Sequence, residues 1–135
     1  MLFLAVLFNI EYLHNATFFY LGFSMSVMAE YLNFSQIQKQ MYLYDTYEGI
    51  PSEYNSESRS NSVYEKHEDI FDEVSKKFSK YNNITPIKGI VPDSFADACP
   101  DKIAFLHIDM NSSKSEIAAL EHLFDKMSKG GIIVF

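Results

Sequence analysis

The chain has 135 residues, 47% of them hydrophobic, which is enough for one core of modest size and favours a single domain over residues 1–135. Its formal net charge is −7, and no cluster of Lys and Arg offers a surface for a phosphate backbone, so a nucleic-acid partner is not expected. A single cysteine, Cys99, excludes an intramolecular disulfide framework and favours a reducing, cytoplasmic environment.

The chain begins with an apolar run, Met1–Phe8. The run has no basic residue before it, and Asn9 and Glu11 interrupt it well short of the length that crosses a bilayer. It therefore predicts the opening of a core element and no membrane partner, with a signal sequence or anchor as the alternative.

The next elements are predicted from spacing. Apolar residues at helical intervals predict a helix in Gly22–Phe34, and Met41–Tyr44 reads as a strand that stops at Asp45. The segment Ser52–Ser62 is polar without an apolar period and predicts a mobile loop.

The middle of the chain alternates again. One apolar face predicts a helix over Val63–Tyr81. Ile84–Val91 predicts a strand, and Pro86 within it favours an edge position. Ile103–Ile108 predicts a further strand, which ends at Asp109.

The last predicted elements are a helix and a strand. Ser113 and Glu116 form a capping-box pattern at the start of the helix, and Gly130-Gly131 stands where a left-handed C-cap would end it. Ile132–Phe135 then predicts a buried strand, and a chain that stops inside such a strand is expected to be incomplete. The residues predicted to face inward from the helix are Ile117, Leu120, Leu123, Phe124 and Met127.

Strands that alternate with helices predict an α/β fold with a doubly wound, mostly parallel sheet. Two of the strands end in an acid, Asp45 and Asp109. Since the carboxyl ends of parallel strands meet at one edge, the two acids predict a site at that edge, where a carboxylate accepts hydrogen bonds from ribose hydroxyls in many nucleotide-binding domains.

Four segments resemble the macrocin-type O-methyltransferases, a family of class I S-adenosylmethionine-dependent enzymes. The resemblance implies a Rossmann-like methyltransferase core that is incomplete at its C-terminal end. The segments are GFSMSVMAEYL (22–32), YLYDTYEGIP (42–51), IKGIVPDSF (87–95) and FLHIDMNSSKSEIAALEHLFDKMSKGGIIVF (105–135).

The resemblance implies a role for individual residues. Asp45 matches the acid that holds the ribose hydroxyls of the cofactor. Gly22 and Ser24 match the end of the glycine-bearing turn after the first strand, and Asp93 matches the turn beside the adenine. Asp109 matches an acid that serves as a metal ligand and candidate catalytic base.

The implied activity is methyl transfer from S-adenosylmethionine to a hydroxyl, on a sugar or a glycosylated small molecule, with Mg²⁺ as a second cofactor in a complete enzyme. The partner is then a small-molecule hydroxyl acceptor, and a homo-oligomer is a further possibility. The Ser52–Ser62 loop is a candidate lid. His107 is interpreted as a core imidazole, and Asn111 as either a turn residue or a weak oxygen ligand.

Two departures from the family pattern leave alternatives open. Ala16–Leu21, which precedes Gly22, contains no glycine, although close approach to a cofactor favours residues without Cβ. The acidic pair that the family places after its fifth strand has no counterpart up to Phe135. The alternative is therefore a truncated or degenerate domain without activity, and a different nucleotide-binding α/β domain is a third reading.

Overall fold

The computed structural model describes the backbone of residues 3–8 and all of 22–47, 70–110 and 112–135. Three α-helices are described, with three short 3-10 turns at Phe34–Gln36, Asp93–Ala96 and Phe124–Lys126. The helices are α1 (Phe23–Tyr31), α2 (Ile70–Phe78) and α3 (Ser113–Leu123), and the strands are β1 (Phe3–Phe8), β2 (Gln40–Asp45), β3 (Ile84–Lys88), β4 (Ile103–Asp109) and β5 (Met127–Val134).

The described strands form one sheet in the order β3-β2-β1-β4-β5, and every pair of neighbours is parallel. The apolar run at the start of the chain thus becomes the middle strand, which confirms that it opens a core element. β3 lies at an edge of this sheet, where its proline, Pro86, costs least, as predicted.

Hydrophobic side chains pack on both faces of the sheet. On one face, Met41 and Leu43 of β2 join α1 and α2 in a first core cluster. On the other face, Leu106 and Ile108 of β4 join α3 in a second cluster. Since buried layers cover both faces, the sheet is doubly wound, and the predicted fold class is confirmed.

One buried amide fixes the entry into β2. The Asn83 side-chain nitrogen donates towards the carbonyl oxygens of Phe34, Ile37 and Lys39 at 2.9, 2.9 and 3.0 Å. The carbonyl of Asn83 also accepts from the amide of Met41 at 2.9 Å. These bonds satisfy backbone groups between α1 and β2, so the start of β2 is held against the start of β3.

The helix predicted in Gly22–Phe34 forms, but most of the apolar residues that predicted it are exposed, although Met28 packs against the first cluster. Met25 and Ala29 are the buried residues of α1, whereas Val27 and Tyr31 are 49% and 88% exposed. The small Ala29 side chain lets the helix backbone approach the sheet, which the spacing of larger apolar residues does not reveal. α2 follows its predicted face, with Ile70, Val74 and Phe78 buried.

The start of α3 differs by one residue from the predicted capping box. The N-cap is Ser112, whose hydroxyl accepts from the amide of Ser115, and Ser113 is the first helical residue. Glu116 reaches back to accept from the amide of Met110 at 3.3 Å. The two side chains still satisfy amides near the helix start, but the helix is rotated relative to the prediction.

The rotation exposes part of the face predicted to be inward. Ile117 and Phe124 are 56% and 62% exposed, while Ala119 and Leu123 are fully buried. Leu120 and Met127 are partly buried against the second cluster. The prediction is therefore wrong for Ile117 and Phe124, because the smaller Ala119 occupies the closest approach to the sheet.

The glycine pair does not cap α3, which ends at Leu123, and both glycines lie within β5. The register shifts between Ile103 and Phe105 of β4, whose partners are Met127 and Ile132, so β5 carries extra residues at this point. Gly130 has φ 79° and accommodates this irregularity. The strand is not buried as predicted, since Ile132 is 58% exposed, whereas Ile133 packs against the second cluster.

Several predictions fall outside the described residues. These concern the Ser52–Ser62 loop, the first turns of the helix predicted over Val63–Tyr81, the segment Ala16–Leu21 and the side chain of Asn111.

A glycine substitution tests the packing of α1 on α2. Gly22 has φ 64°, and an added Cβ would lie 2.9 Å from Cε2 of the buried Phe78. Gly130 is the matched control, because its φ is 79° and nothing lies within 4 Å of an added Cβ. We expect each alanine to cost about 1–2 kcal/mol for the backbone conformation, and Gly22→Ala to cost about 1–3 kcal/mol more for the clash.

Chemical denaturation of both variants measures this difference. Equal losses of unfolding free energy for Gly22→Ala and Gly130→Ala would contradict the contact with Phe78.

Candidate functional site

The two strand-end acids flank the middle strand. Leu7 of β1 pairs with Tyr44, the residue before Asp45, and Phe8 pairs with Asp109. Since neighbouring strands lie about 4.8 Å apart, the ends of β2 and β4 are separated by roughly 10 Å across β1. The chain reverses its strand order beside β1, so this is the switch point where open parallel sheets bind ligands.

Asp45 is a buried carboxyl group, 7% exposed, that is tied into the turn after β2. Its Oδ1 accepts a hydrogen bond from the Tyr47 amide at 2.9 Å and one from the Thr46 hydroxyl at 3.5 Å. Its own carbonyl accepts from the amide of Gly89 at 3.0 Å, which joins the ends of β2 and β3. The side chain therefore has a defined position at the edge of the sheet.

Tyr47 holds this turn in place, and the sequence reasoning missed it. Its backbone has φ 55°, a left-handed conformation that is uncommon outside glycine. The phenol donates to the carbonyl of Leu43 at 3.2 Å, and the ring packs edge-to-face on Phe71. The available signal was Asp45 itself, since Asp side chains commonly bond the backbone amide two residues on.

Burial makes Asp45 a weaker acid than an exposed aspartate. Removal from water raises the pKa of its carboxyl group to about 7, and hydrogen bonds from Tyr47 and Thr46 oppose the rise only in part. Burial also raises the pKa of the Tyr47 phenol. Near neutral pH, Asp45 thus exists in both the protonated and the ionised form.

In the turn after β3, Asp93 and its neighbour Ser94 have different environments. Asp93 is exposed, whereas its neighbour Ser94 is 4% exposed and its hydroxyl has no hydrogen-bond partner in the part of the chain described. Ser94 packs on Gly89, where an added Cβ would lie 2.9 Å from the Cβ of Ser94. The predicted adenine contact at Asp93 remains a prediction.

Asp109 ends β4 with an exposed side chain. Alternation places it on the same face as His107, which is half-buried, and Phe105, which packs against the first core cluster. The bond from the Met110 amide to Glu116 orders the turn that follows. Asp109 is therefore an accessible carboxylate opposite Asp45 across β1.

Gly22 and Ser24 lie at the start of α1. Gly22 precedes the helix in a left-handed conformation, and Ser24 is half-buried in its first turn. The close contact that the structure gives Gly22 is with Phe78 at the end of α2. The role of Gly22 and Ser24 in cofactor binding therefore remains a prediction.

A groove of about 470 Å³ lies elsewhere, between α1 and the end of α2. It contains an ion pair between Glu30 and Lys80, both largely exposed, so the pair is well screened by water. Lys80 and Tyr81 lie just before β3, near the amino edge of the sheet, so this groove is separate from the acids at the carboxyl edge.

The described residues form neither a cluster of metal ligands nor a helix that could span a membrane. Within 22–47, 70–110 and 112–135, no three His, Cys, Asp or Glu side chains come together as metal ligands. Nor does any helix in that part of the chain have the length and apolar character to cross a membrane.

Comparison with known proteins supports the resemblance. Residues 17–135 match the family described as macrocin-O-methyltransferase (TylF). The O-methyltransferase NovP has a similar structure, with a TM-score of 0.68 and 21% identity, covering 96% of this chain and 55% of NovP. The calicheamicin methyltransferase CalS11 is also similar, with a TM-score of 0.65 and 13% identity, covering 98% of this chain and 56% of CalS11.

At these identities the two structures confirm the fold, and this chain spans a little over half of their length. No curated protein matches it by sequence.

The ionisation of Asp45 predicts a pH-dependent stability difference. The pKa is about 7 in the folded protein against 3.8 ordinarily, so ionisation between these pH values favours the unfolded chain. Asp45→Asn keeps an acceptor for Tyr47 and removes this effect. We expect the unfolding free energy of the variant, relative to wild type, to rise between pH 4 and pH 8 by up to about 4 kcal/mol.

Urea unfolding across this pH range measures the difference. Asp101→Asn, which changes an exposed carboxylate, is the control and should run parallel to wild type. A parallel curve for Asp45→Asn would disprove the raised pKa.

Proposed function

The chain belongs to the macrocin-O-methyltransferase (TylF) family, and on this premise we propose that it carries the cofactor-binding part of an S-adenosylmethionine-dependent O-methyltransferase. The observation that carries the proposal is Asp45, a buried carboxyl group at the carboxyl end of β2, next to the middle strand of a parallel sheet. Among the described residues, no cationic group lowers the pKa of this buried acid. Its burial therefore costs folding free energy, and a binding role would account for that cost.

The residues present fit the ribose of the cofactor. A carboxylate offers about four acceptor sites. Among the described residues, the Tyr47 amide and the Thr46 hydroxyl both donate to Oδ1 and the Thr46 amide is a further donor, so an acceptor site is left for a hydroxyl donor. The turn containing Asp93 and Ser94 is joined to Asp45 through the Gly89 amide and would lie beside the base. Gly22 and Ser24 are proposed to face the amino-acid end.

Bound S-adenosylmethionine would supply an electrophilic methyl group for attack by an acceptor hydroxyl. Asp45 then orients the cofactor by its ribose, and alignment of this kind lowers the entropic part of the barrier. Asp109, on the opposite side of β1 and exposed, is proposed to accept the proton of the hydroxyl as a general base.

The acceptor is proposed to be a hydroxyl of a sugar or of a glycosylated small molecule, as the family resemblance implies. CalS11, similar in fold, is a calicheamicin methyltransferase. The Ser52–Ser62 segment is proposed as a lid over the acceptor, and assembly into a homo-oligomer is part of the same proposal.

Magnesium enters the proposal only through Asp109. Mg²⁺ prefers six oxygen ligands, and the described residues bring no group of three suitable side chains together, so they do not fit the ion by themselves. No step of the proposed reaction is therefore assigned to a metal. Asp109 would be one ligand among donors from outside the described residues.

A second candidate is a domain that keeps the fold without catalysis. The absence of glycine from Ala16–Leu21 favours it, because side chains there would hinder the approach of the cofactor. The same feature predicts a dissociation constant weaker than the low micromolar range for residues 1–135.

Cofactor binding tests the proposed function. We expect S-adenosylhomocysteine to bind weakly at pH 8 and Asp45→Ala to weaken it by about tenfold to a hundredfold, because a charged acceptor for the ribose hydroxyls is lost. Asp101→Ala, at the opposite edge of the sheet, is the matched control. NMR titration into the millimolar range measures both. Equal affinities for wild type and a folded Asp45→Ala variant would refute the assignment, and absence of binding would favour the non-catalytic domain.

Substitution of Asp109 tests the chemical role. In an active enzyme that contains this chain, we expect Asp109→Asn to lower kcat by about a hundredfold or more, with little change in cofactor affinity, because proton transfer is needed only during reaction. Steady-state kinetics and cofactor titration separate the two effects. Full turnover in Asp109→Asn would show that this residue has no part in the mechanism. Turnover that a metal chelator leaves unchanged would show that the reaction needs no metal.

A further inference from the structure

We propose that Asp45, a buried side chain held by neutral donors, captures the ribose only as a carboxylate, so that cofactor affinity depends on the ionisation of this side chain and binding releases a proton wherever the side chain is protonated. The inference rests on the proposed function, since it concerns the same acid. It adds a dependence of cofactor affinity on pH that the family and the fold do not specify.

The described surroundings of Asp45 supply polar groups but little charge. Among the described residues, the donors that act on it are the Tyr47 amide and the hydroxyl and amide of Thr46, all of them neutral. The Tyr47 phenol also faces this region and donates to the Leu43 carbonyl. A carboxyl group with neutral donors and little exposure is stabilised less as an anion than it would be in water.

Charged groups on the neighbouring elements that the structure describes do not alter this balance. Lys88 pairs with Asp45 in register, but its side chain is exposed. It does not contribute to the shift in the pKa of Asp45. On β4, across β1, lie His107 and Asp109, and Asp93 is exposed on the turn after β3. α1 and α2 turn apolar residues towards the cluster that contains Leu43 and Tyr47, and their charged residues Glu30, Asp72, Glu73, Lys76 and Lys77 are exposed.

Ribose hydroxyls change the relative stability of the two forms of Asp45. A vicinal diol donates two hydrogen bonds, which an anionic carboxylate accepts more strongly than a neutral carboxyl group does. Binding therefore lowers the pKa of Asp45 from its value of about 7 in the free protein. By linkage, the diol binds more tightly where the carboxylate is already formed.

The size of the effect follows from the ionised fraction. With a pKa of about 7, Asp45 is ionised in about nine molecules of ten at pH 8 and in about one of ten at pH 6. The apparent dissociation constant equals the intrinsic one divided by the competent fraction, so we expect affinity to weaken about tenfold from pH 8 to pH 6.

The experiment is a ligand titration of the 135-residue chain at pH 6, 7 and 8, followed by NMR. S-adenosylhomocysteine is the first probe, and adenosine is the second because it keeps the diol but lacks the titrating amino acid. 2′,3′-Dideoxyadenosine lacks the diol and is the matched control ligand. We expect the tenfold pH dependence for the first two probes and none for the third.

Two variants assign the effect to Asp45. Asp45→Asn should bind weakly with no pH dependence, whereas Asp97→Asn, an exposed acid in the same turn region as Ser94, should behave as wild type. If Asp45→Asn does not fold, carboxyl NMR of wild type replaces it. The titration midpoint of Asp45 should then fall when adenosine is added.

The outcomes separate the two proposals. Adenosine affinity that is constant from pH 6 to pH 8, or an Asp45 midpoint unmoved by adenosine, overturns proton-linked capture and leaves the proposed function standing. Failure of S-adenosylhomocysteine to bind at pH 8 overturns the proposed function and this inference with it.

Discussion

The parallel pairing of β1 with both β2 and β4 is the constraint on which the candidate site depends. β2 and β4 come from distant parts of the chain, and their terminal acids share an edge only because β1 lies between them in register. The backbone hydrogen bonds of β1 therefore set the spacing between Asp45 and Asp109. Local sequence around either acid cannot set this spacing, since strand order is a property of the whole sheet.

The end of β2 is held more firmly than a loop residue would be. Asn83 fastens the segment that enters the strand, and Tyr47 fixes the turn that leaves it. Between these points the strand is buried on both faces, which raises the cost of an ionised Asp45. Positional order and a raised pKa thus share one cause, namely the exclusion of water from the end of β2.

The edge of the described sheet that is formed by β5 is less completely covered by other residues. Ile133 packs inward from β5, while Ile132, Val134 and Phe135 are 58%, 37% and 73% exposed. The chain spans about 55% of NovP, whose fold it shares. The better-covered part of the sheet is the part that carries Asp45.

The sequence by itself determined the strand–helix alternation, the ends of β2 and β4 at Asp45 and Asp109, the edge position of β3 and the resemblance to the family. Period-two and helical spacings are local signals, and turn acids and proline act within a few residues of themselves. Only the tertiary structure decided which helix faces are buried, because Ala29 and Ala119 allow an approach that larger side chains prevent. It also decided the position of Gly130 in a strand irregularity, the inward turn of Ser94 and the weak acidity of Asp45. These depend on contacts between segments far apart in the chain, and in the case of Asp45 on how completely those segments exclude water.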